Sequence, residues 1–157
     1  MSVVTTGART SLSVLITNIT LAGRSGTEIV TRDLALGLKR RGHRAIVYTQ
    51  SAGQIAEEIR SESIPVVTSI SEVSGDIDII HAHHTPVAAT AICRYPDVPA
   101  IFVAHDFVAW HDTPPLFPSI RYYVAVDATV AERLAAESGV EPAQLRVLLN
   151  AVDTRRF

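Results

Sequence analysis

The amino-acid sequence predicts an α/β fold in which a parallel sheet has helices on both faces. Short apolar runs rich in β-branched residues recur along the chain and are typical of strands. Segments with helical periodicity separate several of these runs, and strands that alternate with helices form parallel sheets. Runs such as SVLIT and AIFVA are apolar on both sides, as expected for strands covered on both faces.

Seven runs are the predicted strands. In chain order they are SVLIT, AIVYT, PVVTS, IDIIHAH, AIFVAHD, YYVAVD and RVLLN. Two segments between them have the clearest helical pattern, one from Gly26 to Gly42 and one from Asp127, a predicted N-cap, to Gly139. The apolar face predicted for the first helix consists of Val30, Leu34 and Leu38. QIAEEIRSE and PVAATAICRY are shorter helical candidates.

Length and composition predict one compact domain over residues 1–157. Hydrophobic residues make up 47% of the chain and charged residues 19%, as in a protein with an apolar core. The net charge of -2 argues against nucleic-acid binding, and the single Cys93 excludes an internal disulfide. The chain has no stretch of ~20 apolar residues and no signal pattern at its start. We therefore expect a cytoplasmic protein, whose only membrane contact would be peripheral, at the inner face.

Polar residues cluster where the predicted strands end. Asn18 to Gly26, the His81–His84 segment, His105 with Asp106, Asp127 and Asn150 all occupy such positions. Five of the six histidines fall between His81 and His111. Because ligands of open α/β sheets bind beyond the carboxyl ends of the strands, we expect a binding site at this edge.

A glycine-rich loop opens the first predicted helix. Gly23 and Gly26 allow a ligand to approach the backbone, and the helix N-terminus that follows suits a phosphate. The loop matches neither G-x-G-x-x-G nor G-x-x-x-x-G-K-[ST]. A second unusual loop, FVAWHDTPPLFPS, contains three prolines and several aromatic residues, and its composition predicts a mobile or binding loop.

Five motifs in order resemble the amino-terminal half of a family 4 glycosyltransferase of the GT-B fold. They are Ser25-Gly26-Thr27-Glu28, LKRRGHRAIVYT, DIIHAHHTP, FVAHD and the segment from YYVAVD to NAVDTRRF. The corresponding family patterns are G-G-x-E, L-x-x-R-G-H, D-x-x-H-x-H, a strand ending in His-Asp and a segment ending in N-G-V-D-x-x-x-F. The sequence departs from the family at Ser25 and Ala151, where glycine is usual, and at Asp127, where serine is usual.

The resemblance implies a Rossmann-like domain that helps to transfer a sugar from a nucleotide diphosphate sugar to a glycan, lipid or small-molecule acceptor. It implies retention at the anomeric carbon and no metal or other cofactor. No two glutamates stand eight apart, so the E-x7-E motif of the family's carboxy-terminal domain is absent. A carboxy-terminal GT-B domain is therefore an expected partner, and the chain alone is expected to be inactive.

The same resemblance assigns roles to particular residues. The implied catalytic residues are His105 and Asp106. The implied contacts of the donor phosphates are Ser25, Gly26 and Thr27. The implied acceptor or sugar contacts are His81, His83, His84 and Trp110, and the linker begins at Asn150.

Structural interpretations compete with several of these roles. His105 at the end of a buried strand is also typical of a core histidine, and Asp106 either orients that ring or caps the following loop. Glu28 suits the first turn of a helix, where a carboxylate complements the dipole. Trp110 and Phe107 either line an acceptor site or pack the proline-rich loop. The basic residues that complement a helix C-terminus, or form a lipid-facing patch, are Lys39, Arg40, Arg41 and Arg44.

Two other functions compete with sugar transfer. One is a metal-dependent hydrolase built on His81, His83 and His105 with their neighbours, since imidazole and carboxylate groups are good zinc ligands. The other is a non-catalytic module that binds a sugar.

Overall fold

The computed structural model describes residues 11–137 and 139–151. The strands in these ranges are β1 (Ser13–Leu21), β2 (Arg44–Ala52), β3 (Val66–Val67), β4 (Ile79–His83), β5 (Ala100–Ala104), β6 (Ile120–Ala125) and β7 (Leu145–Val147). The helices are α1 (Gly26–Arg40), α2 (Gln54–Ser61), α3 (Thr85–Arg94) and α4 (Ala128–Glu137). Every predicted strand and helix is present. The end of the last family-like motif, residues 152–157, lies outside the described residues.

The strands form one parallel sheet in the order β3-β2-β1-β4-β5-β6-β7. Successive strands are added on one side from β1 to β3 and on the other side from β4 to β7. The direction of winding therefore changes between β1 and β4, and the loops that leave these two strands diverge to opposite faces of the sheet. In doubly wound folds this divergence creates the crevice in which ligands bind.

Two apolar cores lie on the two faces of the sheet. Along β1, Leu15 belongs to one core, whereas Val14 and Ile16 belong to the other. Buried residues of α3 and α4 pack into the core that contains Leu15, and buried residues of α1 and α2 pack into the other. The predicted fold class, a Rossmann-like parallel sheet with helices on both faces, is therefore confirmed.

The buried face of α1 differs from the predicted one. Its most buried side chains are those of Glu28, Thr31 and Ala35, whereas Leu34 and Leu38 pack against the core from the side, and Val30 is only half-buried. The reason is a polar contact with β1. Asn18 Nδ2 donates to Thr31 Oγ1 at 2.8 Å and to the Thr27 carbonyl at 3.1 Å, which turns this polar stripe of the helix toward the sheet.

The predicted ends of the two main helices are confirmed. Gly42 and Gly139 have positive φ angles of 81° and 67°, which only glycine adopts readily, and they follow the last turns of α1 and α4. Asp127 Oδ1 accepts a hydrogen bond from the Val130 N–H at 2.8 Å, as an N-cap does.

The basic residues at the end of α1 lie at the amino edge of the sheet, opposite the ligand edge. Arg44 Nη1 there donates to Ser13 Oγ at 3.1 Å, and Lys39 Nζ donates to the Glu62 carbonyl. Among the described residues, no helix has the length and apolar character needed to cross a bilayer.

Candidate functional site

The carboxyl edge of the sheet between β1 and β4 brings the predicted site residues together. The loop after β1 leads into the N-terminus of α1 at Gly26, and β4 ends at His83, next to His84. On the neighbouring strand, β5 ends one residue before His105. The glycine-rich loop and the histidines thus flank the point at which the winding of the sheet changes direction.

Glu28 organises the glycine-rich loop from inside. The Glu28 carboxylate is 2% exposed and accepts hydrogen bonds from the N–H groups of Gly23 at 2.8 Å and Ser25 at 2.6 Å. Burial alone would raise the pKa of Glu28, but the hydrogen bonds from Ser25 and Gly23 outweigh burial and hold the pKa below its ordinary value. Its role is therefore structural, in agreement with the first-turn interpretation.

The hydrogen bonds of Glu28 leave different backbone groups open among the three predicted phosphate contacts, Ser25, Gly26 and Thr27. The Ser25 N–H donates to the Glu28 carboxylate and the Ser25 hydroxyl accepts the Glu28 backbone N–H, so both groups already have partners within the loop. Gly26 and Thr27 are the first residues of α1, and N–H groups in a first helical turn have no acceptor within the helix. These two N–H groups are therefore open to an acceptor from outside the helix.

Glycine is required less at Gly26 than at Gly53. Gly26 does not have a positive φ angle, and a Cβ atom placed there would meet nothing within 4 Å. A Cβ on Gly53 would lie 2.6 Å from Ala22 Cα, because the loop after β2 presses against the loop after β1. Gln54 N also donates to the Ala22 carbonyl at 3.3 Å. Gly53 thus supports the glycine-rich loop, and no local motif identified it.

Two histidines of β4 and three from the segments that follow β4 and β5 form a contiguous cluster. His81 and His83 lie on the same face of β4, as predicted, with ring centroids 4.8 Å apart. His83 Nδ1 lies 2.7 Å from His105 Nε2, within hydrogen-bonding distance. The ring of His84 lies 6.5 Å from that of His105 and 4.8 Å from that of His111.

Strand β1 holds two members of the cluster in place. The backbone N–H of His83 donates to Thr17 Oγ1 at 3.1 Å, and that hydroxyl donates back to the His83 carbonyl at 2.9 Å. The Ile19 N–H donates to Nδ1 of His84 at 3.2 Å. His84 also has a φ angle of 59°, a left-handed conformation that is uncommon for residues other than glycine and that clusters at functional sites.

Four histidines of the cluster, His81, His83, His84 and His105, are neutral at neutral pH. Burial is the main cause in each, and it lowers the pKa values of His81, His84 and His105 to about 4. Burial and the adjacent imidazoles lower the pKa of His83 well below its ordinary value. The cluster therefore presents hydrogen-bond donors and acceptors without a positive charge, a surface suited to hydroxyl groups.

Asp106 and Asp112 have different tasks in the loop after β5. Asp106 Oδ1 accepts hydrogen bonds from Val108 N at 2.6 Å and Ala109 N at 2.8 Å, the geometry of a loop cap. Of its two predicted roles, these contacts support capping. Asp112, which sequence reasoning did not single out, is 1% exposed and accepts a hydrogen bond from the His105 N–H at 2.9 Å.

The rest of this loop is held at its base and exposed at its tip. The Arg133 guanidinium of α4 donates to the carbonyls of Asp106 and Ala109. Trp110 and Phe107 are 70% and 57% exposed, so their rings do not pack beneath the loop. Trp110 makes an edge contact with His111, with ring centroids 5.7 Å apart, which places an accessible aromatic ring beside the histidine cluster. Asn150, the predicted start of a linker, is exposed after β7.

One group among the described residues resembles a metal site. His84, His111 and Asp112 have candidate ligand atoms within 4.8 Å of one another. However, Nδ1 of neutral His84 accepts the Ile19 N–H, so the ring proton is on Nε2, which faces Asp112 Oδ1 at 3.9 Å. A protonated nitrogen cannot ligate a metal, and the hydrogen bond from Ile19 therefore opposes metal binding through Nε2. The His83–His105 hydrogen bond likewise occupies two of the nitrogens proposed for a hydrolase site.

Comparisons with known proteins agree with this architecture. The family model of Glycosyltransferase Family 4 matches residues 24–156. No curated protein matches the chain. Among solved structures, the chain is similar to the crystal structure of a glycosyltransferase from Rickettsia africae ESF-5, with a TM-score of 0.66 and 16% sequence identity. That alignment covers 91% of this chain and 44% of the Rickettsia chain, so this chain spans less than half of that protein's length.

At 16% identity, the Rickettsia structure is informative about the fold alone. The family model covers most of the sequence, including α1 with Gly26, the histidine cluster and α4. The chain therefore belongs to glycosyltransferase family 4.

Proposed function

We propose that this chain is the acceptor-side domain of a retaining, metal-independent glycosyltransferase that uses a nucleotide diphosphate sugar as donor. The donor diphosphate binds the N–H groups of Gly26 and Thr27, and His105 contacts the donor sugar near the reacting centre. The observation that carries the proposal is the placement of a helix N-terminus beside uncharged histidines where the winding of the sheet changes direction.

The charge distribution of the site supports this division of roles. The N-terminus of α1 has unpaired N–H donors and the positive end of the helix dipole, both of which favour an anionic diphosphate. The neutral imidazoles nearby favour hydroxyl groups, because they can donate or accept hydrogen bonds without introducing a charge. A nucleotide diphosphate sugar has both an anionic diphosphate and sugar hydroxyl groups, and so matches both parts of the site.

The acceptor binds beyond the histidines, beside the loop that contains Trp110. Exposed aromatic rings stack on the apolar faces of sugar rings, and Trp110 is positioned beside His111 and accessible to such a ligand. The partly exposed His81 supplies a further polar group to the same region, whereas the ring of His84 is buried and bonded to the Ile19 N–H. Asp106 keeps the loop in shape through its contacts with Val108 and Ala109.

Metal independence is supported by the hydrogen bonds of the histidines. The Ile19 N–H holds the proton of His84 on the nitrogen that a metal would need, and His83 and His105 are bonded to each other. The positive charge that stabilises the diphosphate in this proposal comes from the helix N-terminus and from a second domain.

We further propose that activity requires a carboxy-terminal domain connected after Asn150. The supporting observation is that the similar Rickettsia glycosyltransferase is more than twice the length of this chain. Residues 1–157 purified alone should therefore fold, since the sheet has both of its cores, yet give no detectable sugar transfer. Sustained transfer by these residues without any other protein would contradict this prediction.

The experiment that tests the proposal is a screen of nucleotide diphosphate sugars against candidate acceptors. It should be performed with this chain alone and with the chain joined to a carboxy-terminal domain. The proposal predicts transfer only in the second case, with the anomeric configuration of the donor kept in the product and activity unchanged by a chelator. An inverted product, or activity that a chelator abolishes, would contradict the mechanism.

A further inference from the structure

The hydrogen bond between His83 and His105 joins a buried residue to a residue of the proposed site. His83 is completely buried, whereas His105 is partly accessible at the end of β5. The bond joins His83 Nδ1 to His105 Nε2 over 2.7 Å. Of the two ring nitrogens of His105, Nδ1 is therefore the one that can meet a ligand.

His83 cannot easily move away from this contact. Its backbone N–H and carbonyl are both bonded to Thr17 Oγ1 of β1, so the residue is held from the neighbouring strand. The His105 backbone is held separately by Asp112, whose Oδ2 accepts the His105 N–H at 2.9 Å. The two rings thus meet between two fixed backbones.

The burial of His83 determines which ring donates. Among the described residues, His83 Nε2 has no hydrogen-bond partner and is inaccessible to solvent. If His83 carried its proton on Nε2, a buried N–H donor would lack an acceptor, which is rarer in proteins than an unpaired acceptor. The less costly arrangement places the proton on His83 Nδ1, which then donates to His105 Nε2.

We propose that His83 is a positioning residue that fixes neutral His105 as the tautomer protonated on Nδ1. His105 then meets its ligand as a hydrogen-bond donor. Because the other nitrogen of His105 accepts from His83, His105 does not act as a general base through Nδ1. A donor at this position suits the oxygen of a sugar hydroxyl, so the inference rests on the proposed function of the site.

Nuclear magnetic resonance of the chain labelled with 15N-histidine tests the tautomer directly. The 15N shifts of the ring nitrogens and their couplings to the carbon-bound protons distinguish a protonated from an unprotonated nitrogen. We expect a protonated Nδ1 and an unprotonated Nε2 at His105 near neutral pH. A spectrum with the His105 proton on Nε2 would overturn the proposal without any substitution.

Two substitutions of His83 provide a matched pair. In His83→Asn, the side-chain amide nitrogen occupies nearly the position of Nδ1 and can still donate to His105. In His83→Leu, an apolar side chain of similar size leaves His105 Nε2 without a donor. We expect the Asn variant to keep the His105 tautomer and the Leu variant to give a mixture of the two tautomers. An unchanged tautomer in a folded Leu variant would overturn the proposal.

Kinetic measurements distinguish a failure of this inference from a failure of the proposed function on which it rests. They require a protein that joins this chain to a carboxy-terminal domain. We expect His83→Leu to lower kcat by about tenfold relative to His83→Asn, the effect of losing one hydrogen bond, with a smaller change in donor KM. If His105→Ala lowers kcat but the two His83 variants have equal kcat values, the positioning role is wrong and the proposed function stands. If His105→Ala is also fully active, the proposed function of His105 fails.

Discussion

At the scale of single residues, four histidines of the cluster lie where burial disfavours the charged form of the imidazole. His83 is completely buried and His84 nearly so. His84 Nδ1 accepts the Ile19 N–H, and His83 Nδ1 is hydrogen-bonded to His105 Nε2. Their low pKa values follow mainly from burial. Below the ordinary pKa of histidine, the unfolded chain binds protons that these buried rings do not, so the cluster makes the free energy of unfolding depend on pH.

The pH dependence of stability tests this effect. An unfolded histidine has its ordinary pKa of 6.5, whereas His81, His84 and His105 have folded-state values of about 4. As the pH falls through this window, the unfolded chain binds protons first, so the free energy of unfolding should decrease. Above the ordinary value, this contribution should be constant. Urea unfolding between about pH 7 and about pH 5 measures the slope, before most carboxylates titrate.

A variant with one fewer buried histidine is the control for this measurement. His83→Asn removes one low-pKa group, so its stability should fall less steeply than that of the wild type over the same range. Parallel curves for the two proteins would contradict a neutral, buried His83.

At the scale of elements, the loop after β1 is shaped by its neighbours. Glu28 binds it from α1, and Gly53 allows the loop after β2 to touch it at Ala22. These contacts fix the position of the α1 N-terminus relative to the sheet.

Alanine substitutions at two glycines test which of them the fold requires. Gly53→Ala places a Cβ 2.6 Å from Ala22 Cα, so backbone must shift, and we expect a loss of about 2 kcal/mol in the free energy of unfolding. Gly26→Ala meets nothing within 4 Å and should leave stability unchanged or slightly raised. Chemical denaturation of both variants measures the difference. Equal stabilities would show that the loops do not pack as described.

At the scale of the whole molecule, local patterns predicted the fold well and the contacts of the candidate site only in part. Apolar runs located every strand, and polar residues after the strands indicated the edge at which the structure gathers the histidines, because both signals are local in the chain. Gly53 and Asp112 were missed because their importance comes from contacts with distant residues, Ala22 and His105. Leu34 and Leu38 pack against the core as predicted, but the most buried stripe of α1 was missed for the same reason, since the Asn18 contact that turns the helix comes from β1.

The hydrogen bonds of the histidine rings also lead to a prediction about the metal content of the purified protein. Because the Ile19 N–H keeps the His84 proton on Nε2, and because His83 Nδ1 and His105 Nε2 are hydrogen-bonded to each other, the purified protein should contain no stoichiometric zinc, manganese or iron. Elemental analysis measures the metal content, and Tm should be the same with and without a chelator. A tightly bound metal that stabilises the fold, and that is lost in a His84→Asn variant, would favour the hydrolase interpretation.

The central claim is that His105 and the N-terminus of α1 act on two parts of one donor, and kinetics of two variants test it most directly. In a protein that joins this chain to a carboxy-terminal domain, His105→Ala should lower kcat by at least about tenfold, or ~1.4 kcal/mol of transition-state stabilisation, with a smaller change in donor KM. Gly26→Val should mainly raise donor KM, because a branched side chain at this open position obstructs the approach of the diphosphate to the backbone. Circular dichroism and melting first establish that both variants are folded. Full turnover by a folded His105→Ala variant, or its unfolding, would contradict the assigned site.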